Sequence, residues 1–364
     1  MNTLSATAHD AGIPSGAIHR ILICRPNHRL GNMLLITPMV AELERLYKGA
    51  EIDIVGEGEL ACDIFATFFS VKNVYCLPRR GFKHPASFLS LILKVRKTRY
   101  DLIIDPCVGS GFSRTLTRIF KGRYKLGFGD VKVTHGLTHH VPRGMAPKHM
   151  AKRSVYLARW HASLNATESP GFPTLDIRLT EDERAHGRSV VQQLLDARAL
   201  GHASRTIGIF ADATGRKRYP VEWWMEFIAS LQNLMPQTAI VEIVPMHGTS
   251  MLDSAWPTYY SSSIRRMAAV MSSLDIVISA DCGVMHLAVA AHVPTIGMFS
   301  VTDANTYGPY GVSNSWLVTN ELSASDAAQR VADGVQRARE NAGQSMANFL
   351  APNRRRLQRD DCDV

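Results

Sequence analysis

Short β-rich runs alternate with amphipathic helical stretches twice along this chain of 364 residues, and that double alternation constrains the fold more than any other feature. In the first half the strand candidates are 20–26, 51–57, 71–78, 100–106 and 124–129, with helical patterns at 33–47, 59–69, 85–97 and 111–121. A parallel pair of strands needs a crossover of helix length, so this order predicts a parallel sheet wrapped by helices. A helix is expected over 153–166, followed by a Pro- and Gly-containing stretch and a Thr cap before "EDERAHGRSVVQQLLDA". The alternation then resumes, with strands at 206–212, 239–245, 275–281 and 293–300, helices at 221–235, 264–274 and 284–291, and a last helix over 323–340. The fold class is therefore α/β with two doubly wound domains. The expected division is a leader at 1–19, a first domain at 20–175, a hinge region at 176–204, a second domain at 205–345 and a mobile tail at 346–364. In open parallel sheets chemistry sits at the carboxyl ends of the strands, and a cleft between the two domains is expected there.

Two strand ends carry the strongest signals. In "ISADCGVMHLAVAAHVPTIGMFS" the strand delivers Asp281, Cys282 and Gly283 form a tight turn, and His286 enters the following helix. Free N–H groups at a helix start suit a diphosphate, and a glycine lets its oxygens approach the backbone. The plainer reading makes Asp281 a helix cap and His286 a surface histidine; these residues alone admit both. In "FADATGRKRYPVEWW" a hydroxyl (Thr214), a glycine (Gly215) and three cations (Arg216, Lys217, Arg218) share one loop, which resembles a phosphate-holding loop without being a P-loop.

Other patterns exclude. "GSGFSR" (109–114) has Arg114 where a dinucleotide fingerprint needs its third glycine, and no acidic residue closes a second strand at the right spacing. An oxidoreductase reading lacks support on that ground, although the helix start can still hold an anion on an acceptor side. The histidines of "THGLTHH" have no carboxylate or cysteine near them and read as a solvated loop; His286 and His292 are six apart, the wrong spacing for one metal face. No HExxH or paired acidic motif appears, so no metal is expected. The six cysteines are scattered, which fits buried thiols rather than a disulfide framework. No apolar run reaches a membrane span and the leader lacks an apolar core, so a cytoplasmic protein is expected.

Charge separates the halves. Residues 1–160 hold 24 Lys and Arg against 11 Asp and Glu, whereas the remainder holds 17 against 21. A basic half fits nucleic acid, an anionic membrane surface or a phosphorylated substrate. No recognition-helix, RNP or zinc-finger pattern supports nucleic acid.

Three segments together resemble glycosyltransferase family 9, which includes the ADP-heptose:lipopolysaccharide heptosyltransferases. "ICRPNHRLGNMLLITPMVAELERLYKGAEIDIV" is similar to the family's first loop, helix and second strand; "GRKRYPVEWW" to its Lys-x-Trp-Pro segment; and "DIVISADCGVMHLAVAAHVPTIGMFSVTDANTYGPYG" to its donor-binding block. The likeness runs from about 20 to 340, in order. It implies a GT-B fold, two facing Rossmann-like domains, with the acceptor on the first and a nucleotide-sugar co-substrate on the second. It also implies an inverting, metal-independent transfer in bacterial lipopolysaccharide-core biosynthesis. The partners it implies are a phosphorylated glycolipid acceptor and, peripherally, the anionic inner-membrane surface. By the same resemblance Lys217 matches the family's phosphate-binding lysine, and Asp281, Gly283 and His286 its donor-binding turn; with Thr214, Cys282 and Met285 beside them these are the expected donor-binding residues, and Arg29, Gly31 and Arg114 the expected acceptor-side ones. Cys282 stands for the usual Thr, Tyr219 for a Trp and Ser300 for a Gly, and the acid usual after the second strand of the second domain is not evident in "VPMHGTSMLD".

The main departure is Asn32, which occupies the position of the family's catalytic carboxylate. An amide cannot take the proton of an acceptor hydroxyl. The candidates left for that task are His28 in the same loop, Glu57 or Glu59 after the second strand, and Asp105 after the fourth. The rival expectation is a GT-B relative that binds nucleotide-sugar or glycolipid without turnover.

Overall fold

The computed structural model describes residues 13–79, 81–129, 136–160 and 171–340, and the chain divides into two compact units, Met1–Ile177 and Arg178–Val364. The leader before residue 13, the expected tail at 346–364 and positions 161–166 of the helix expected over 153–166 lie outside the described residues.

The first unit contains a wholly parallel sheet of β1 (Arg20–Cys24), β2 (Glu51–Glu57), β3 (Val71–Leu77), β4 (Tyr100–Asp105), β5 (Gly122–Phe128) and β6 (His139–Val141), in the order β3-β2-β1-β4-β5-β6. Its helices are α1 (Leu30–Leu34), α2 (Thr37–Leu46), α3 (Leu60–Phe65), α4 (Pro85–Lys97), α5 (Gly111–Ile119) and α6 (Met150–Arg159). The central strands are apolar on both faces: Ile21, Leu22, Ile23 and Cys24 of β1 are all fully buried. Helices covering both faces require such continuous runs. One buried ion pair joins α2 to α6, with Arg159 Nη2 2.8 Å from Glu42 Oε2.

The second unit repeats this plan. Helices α7 (Glu181–Asp196), α8 (Val221–Leu234), α9 (Ile264–Met271), α10 (Gly283–Ala290), α11 (Ala304–Tyr307) and α12 (Ala324–Glu340) accompany its strands. Those are β7 (Arg205–Phe210), β8 (Thr238–Val244), β9 (Thr258–Tyr260), β10 (Ile276–Ala280), β11 (Thr295–Phe299) and β12 (Ser315–Val318), all parallel in the order β12-β11-β10-β7-β8-β9. Counted from its own first strand, that is the order of the first sheet. The order in which the strands are laid down therefore reverses between β1 and β4 in one sheet and between β7 and β10 in the other. At each reversal the loops leaving the two neighbouring carboxyl ends diverge and leave a crevice.

The structure corrects several expectations. The helix expected over 33–47 is two helices, because Pro38 in the first turn of α2 supplies no N–H and Thr37 Oγ1 donates to the Leu34 carbonyl at 2.8 Å. The segment read as a solvated histidine loop contains β6, in which His139 is buried and packs edge-on to Tyr124 at 5.6 Å between ring centroids. β9 and β12 were not expected either; like β6 they are three or four residues long, and β6, β9 and β12 all lie at sheet edges. Within the span read as a hinge, α7 opens on a reciprocal cap between Thr180 and Glu183 and packs against α9. Gly187 permits that approach, since a Cβ there would lie 2.1 Å from the Ala269 carbonyl oxygen. No helix among the described residues is long and apolar enough to cross a membrane.

Candidate functional site

At the carboxyl end of β1 the chain turns through residues 25–29 into α1. Backbone bonds stitch this turn to the end of β2: Arg25 N–H donates to the Val55 carbonyl at 2.9 Å, and Glu57 N–H to the Asn27 carbonyl at 3.4 Å. Asn32, half-buried in the middle of α1, donates from Nδ2 to Asn27 Oδ1 at 3.1 Å. The same oxygen accepts from the Arg29 N–H at 2.9 Å. The amide at position 32 is thus one half of a clasp that closes the turn. His28 lies on the exposed side of that turn, with Nδ1 3.2 Å from Glu57 Oε2; the two side chains are 46% and 24% exposed. Arg29 is exposed just before α1, and Gly31 is its second residue.

Asp105, at the end of β4, is fully buried. Its Oδ1 accepts from Ser113 Oγ at 2.7 Å and from Cys107 N–H at 3.1 Å, and its Oδ2 from Arg114 Nε at 2.9 Å. Arg114 also donates to the Phe128 carbonyl at 2.7 Å. Asp105, expected as a proton acceptor, and Arg114, expected on the acceptor side, are bonded to each other, and the pair is a strut between β4, α5 and β5. Its geometry explains why an arginine stands where a dinucleotide site would have glycine.

In the second unit, β7 runs into a loop and one 3-10 turn, Gly215–Lys217. Gly215 has φ +62, in the left-handed region that favours glycine. Arg218 closes the turn by donating to Asp212 Oδ1 at 2.6 Å and to the Ala213 carbonyl at 3.2 Å. Lys217 reaches across the reversal point to β10, placing Nζ 2.8 Å from Asp281 Oδ2. Asp281 is 6% exposed and Lys217 35%, so the ammonium keeps donors facing solvent. Thr214 is exposed just before the turn. Cys282 is the N-cap of α10, and burial pushes its thiol up to about 11, so it is neutral at physiological pH. Gly283 opens α10, whose first N–H groups lack intrahelical partners and carry the positive end of the helix dipole. Lys217, Asp281 and the start of α10 thus meet at one strand-end crevice.

Two of the residues read as donor-binding sit differently. Met285 is fully buried and packs with Phe299 and Ala304, and a Cβ at Gly297 would lie 2.6 Å from its sulfur; it is core. His286 is buried within α10 rather than presented at its tip. Tyr219, standing for a Trp, brings its hydroxyl to 2.5 Å from Thr319 Oγ1. No acid stands directly after β8, but Glu242 within that strand is fully buried and accepts from Met251 N–H and Ser250 Oγ, both at 2.6 Å, folding the loop beyond. Sequence reasoning also missed Asp212 and His247, 3.7 Å apart at the ends of β7 and β8. Among the described residues no group of three or more His, Cys, Asp or Glu is placed to hold a metal.

Residues 88–333 match the family model of glycosyltransferase family 9 (heptosyltransferase). Three solved structures share the fold. A family 9 glycosyl transferase from Veillonella parvula superposes with a TM-score of 0.68 at 15% identity, over 93% of this chain and 95% of that one. E. coli heptosyltransferase WaaC with ADP-2-deoxy-2-fluoro heptose gives 0.64 at 20% identity, over 89% and 100%. E. coli ADP-heptose lps heptosyltransferase II gives 0.65 at 17% identity, over 89% and 100%. Among curated proteins none matches.

Proposed function

The chain belongs to glycosyltransferase family 9, and from that premise we propose that it transfers a sugar, most simply heptose from ADP-heptose, onto a lipopolysaccharide-core or related surface glycan. The observation that carries this reading is the Lys217–Asp281 pair at the start of α10, at the reversal point of the second sheet. A donor diphosphate set there meets the remaining N–H donors of Lys217 and the backbone N–H groups of α10. Both stabilise charge that grows as the diphosphate leaves, so they act where the transition state needs them. Asp281 holds the lysine in place. In this reading the acceptor hydroxyl attacks the anomeric carbon from the face opposite the departing diphosphate, inverting it in a single displacement without a metal.

The excess of Lys and Arg in residues 1–160 suits an acceptor that carries phosphates, at the cytoplasmic surface of an anionic membrane. A second reading, binding without turnover, is favoured by the amide at position 32 alone. Mass spectrometry after incubation with ADP-heptose and a heptose-free lipopolysaccharide core separates them. Transfer adds the mass of one heptose to the acceptor; an unchanged acceptor with ADP-heptose bound favours the second reading.

A further inference from the structure

We infer that His28, held by Glu57, is the general base of this transferase; the inference rests on the sugar-transfer reading and identifies the group that reading leaves open. Two side chains of the turn at 27–32 stand where a base is needed, Asn32 and His28. Asn32 is tied to Asn27 Oδ1 and has no basic atom to give. His28 has one. Its Nδ1 lies 3.2 Å from Glu57 Oε2, and an ionised carboxylate there selects the tautomer with hydrogen on Nδ1. The lone pair is then on Nε2, at the other edge of a ring that is 46% exposed. Glu57 also stabilises the imidazolium that forms.

The arrangement is built rather than incidental. His28 and Glu57 lie 29 residues apart, at the carboxyl ends of adjacent strands, and two backbone bonds fix the His28 turn against the end of β2. Gly58, with φ +72, turns the chain sharply after Glu57 and donates its N–H to the Leu77 carbonyl at 2.9 Å. The charged group against the ring is Glu57 from β2; Arg29 follows His28 in its own loop, Glu59 is the N-cap of α3 two residues after Glu57, and Arg79 Nε would lie 3.7 Å from a Cβ at Gly58. Of the other candidates, Asp105 is buried under three hydrogen bonds, Glu57 is engaged with His28 itself, and Glu59 is exposed at the N-cap of α3.

The step balances simply. Nε2 takes the acceptor hydroxyl proton as that oxygen bonds to the anomeric carbon. The bond from that carbon to the diphosphate oxygen breaks, and its electron pair leaves on the diphosphate. The imidazolium returns its proton to solvent.

The test measures kcat and KM for heptose transfer from ADP-heptose to a heptose-free lipopolysaccharide core across pH, with ADP affinity measured alongside. His28→Asn is expected to lower kcat by about 10²–10⁴-fold with ADP affinity unchanged, and added imidazole to restore part of the rate. Glu57→Gln, a positioning change, is expected to lower kcat less. Its KM and ADP affinity are expected to stay at the wild-type values, which separates positioning from binding. His28→Asn with wild-type kcat and pH profile overturns the dyad and leaves the sugar-transfer reading standing. A wild-type protein that binds ADP and forms no product overturns both.

Discussion

Restoring a carboxylate at position 32 is a sharp perturbation, because the structure assigns the native amide a bond that a carboxylate cannot make. In Asn32→Asp the donor to Asn27 Oδ1 is lost and a charged oxygen takes its place about 3 Å away. Asn27 cannot answer by flipping its own amide, since Arg29 N–H holds that oxygen at 2.9 Å. The loss is one hydrogen bond, about 1 kcal/mol, plus a half-buried oxygen left facing another acceptor, about 1 kcal/mol more. A total near 2 kcal/mol corresponds to a fall of about 4–8 °C in the melting of the first unit. Thermal unfolding of wild type, Asn32→Asp, Asn27→Ala and the double variant measures it. In the Asn27→Ala background the cost of Asn32→Asp should drop below about 0.5 kcal/mol, because the opposing oxygen has gone. The variant should also show no gain in kcat. Equal stability of Asn32→Asp and wild type, or an equal cost in both backgrounds, refutes the clasp. A tenfold or larger rise in kcat shows instead that position 32 is a disabled base.

Three further expectations follow from the packing. Asp105→Asn should destabilise by about 3 kcal/mol in urea unfolding, near the lower end for breaking a buried pair because Arg114 is 18% exposed; a loss under about 1 kcal/mol contradicts the strut. Gly187→Ala places a methyl 2.1 Å from the Ala269 carbonyl oxygen, so α7 must shift from α9, and amide exchange in both helices should accelerate while the first unit is unchanged. Hydrogen bonds from Arg265 hold the Glu183 carboxyl below its ordinary range, so this pair stabilises the second unit at neutral pH and is lost as pH falls through that depressed value. Wild type should therefore lose stability faster than Arg265→Gln on acidification below pH ~4, and parallel curves would contradict it.

The parallel sheets were legible because helices on both faces leave central strands such as β1 apolar over their buried length, Ile21 to Cys24, so composition marks them. Short edge strands leave no such mark: β6 reads "HHV", with one pairing partner and three residues to show for it. Around the site, the loops were legible in the sequence, whereas the packing of several side chains within them was not. Met285 stands beside Gly283 in the motif, yet helix geometry turns it into the core. Asp105 and Arg114 look like site residues because they flank a strand end; that they satisfy each other depends on a nine-residue return of the chain. Glu57 was visible as one acid among several. Its pairing with His28 crosses 29 positions and two strands, and only the register of β1 on β2 brings it about. The departure at Asn32 was legible, whereas its reason, the amide of Asn27, was not.

Sugar transfer here requires a donor diphosphate bound by Lys217 and the start of α10, and titration calorimetry of ADP against wild type and Lys217→Ala tests that binding most directly. Loss of one charge-assisted hydrogen bond, about 1.5–3 kcal/mol, predicts affinity weakened by about 10–150-fold with the melting temperature of the first unit unchanged. ADP bound equally by both proteins, or by neither, would contradict it.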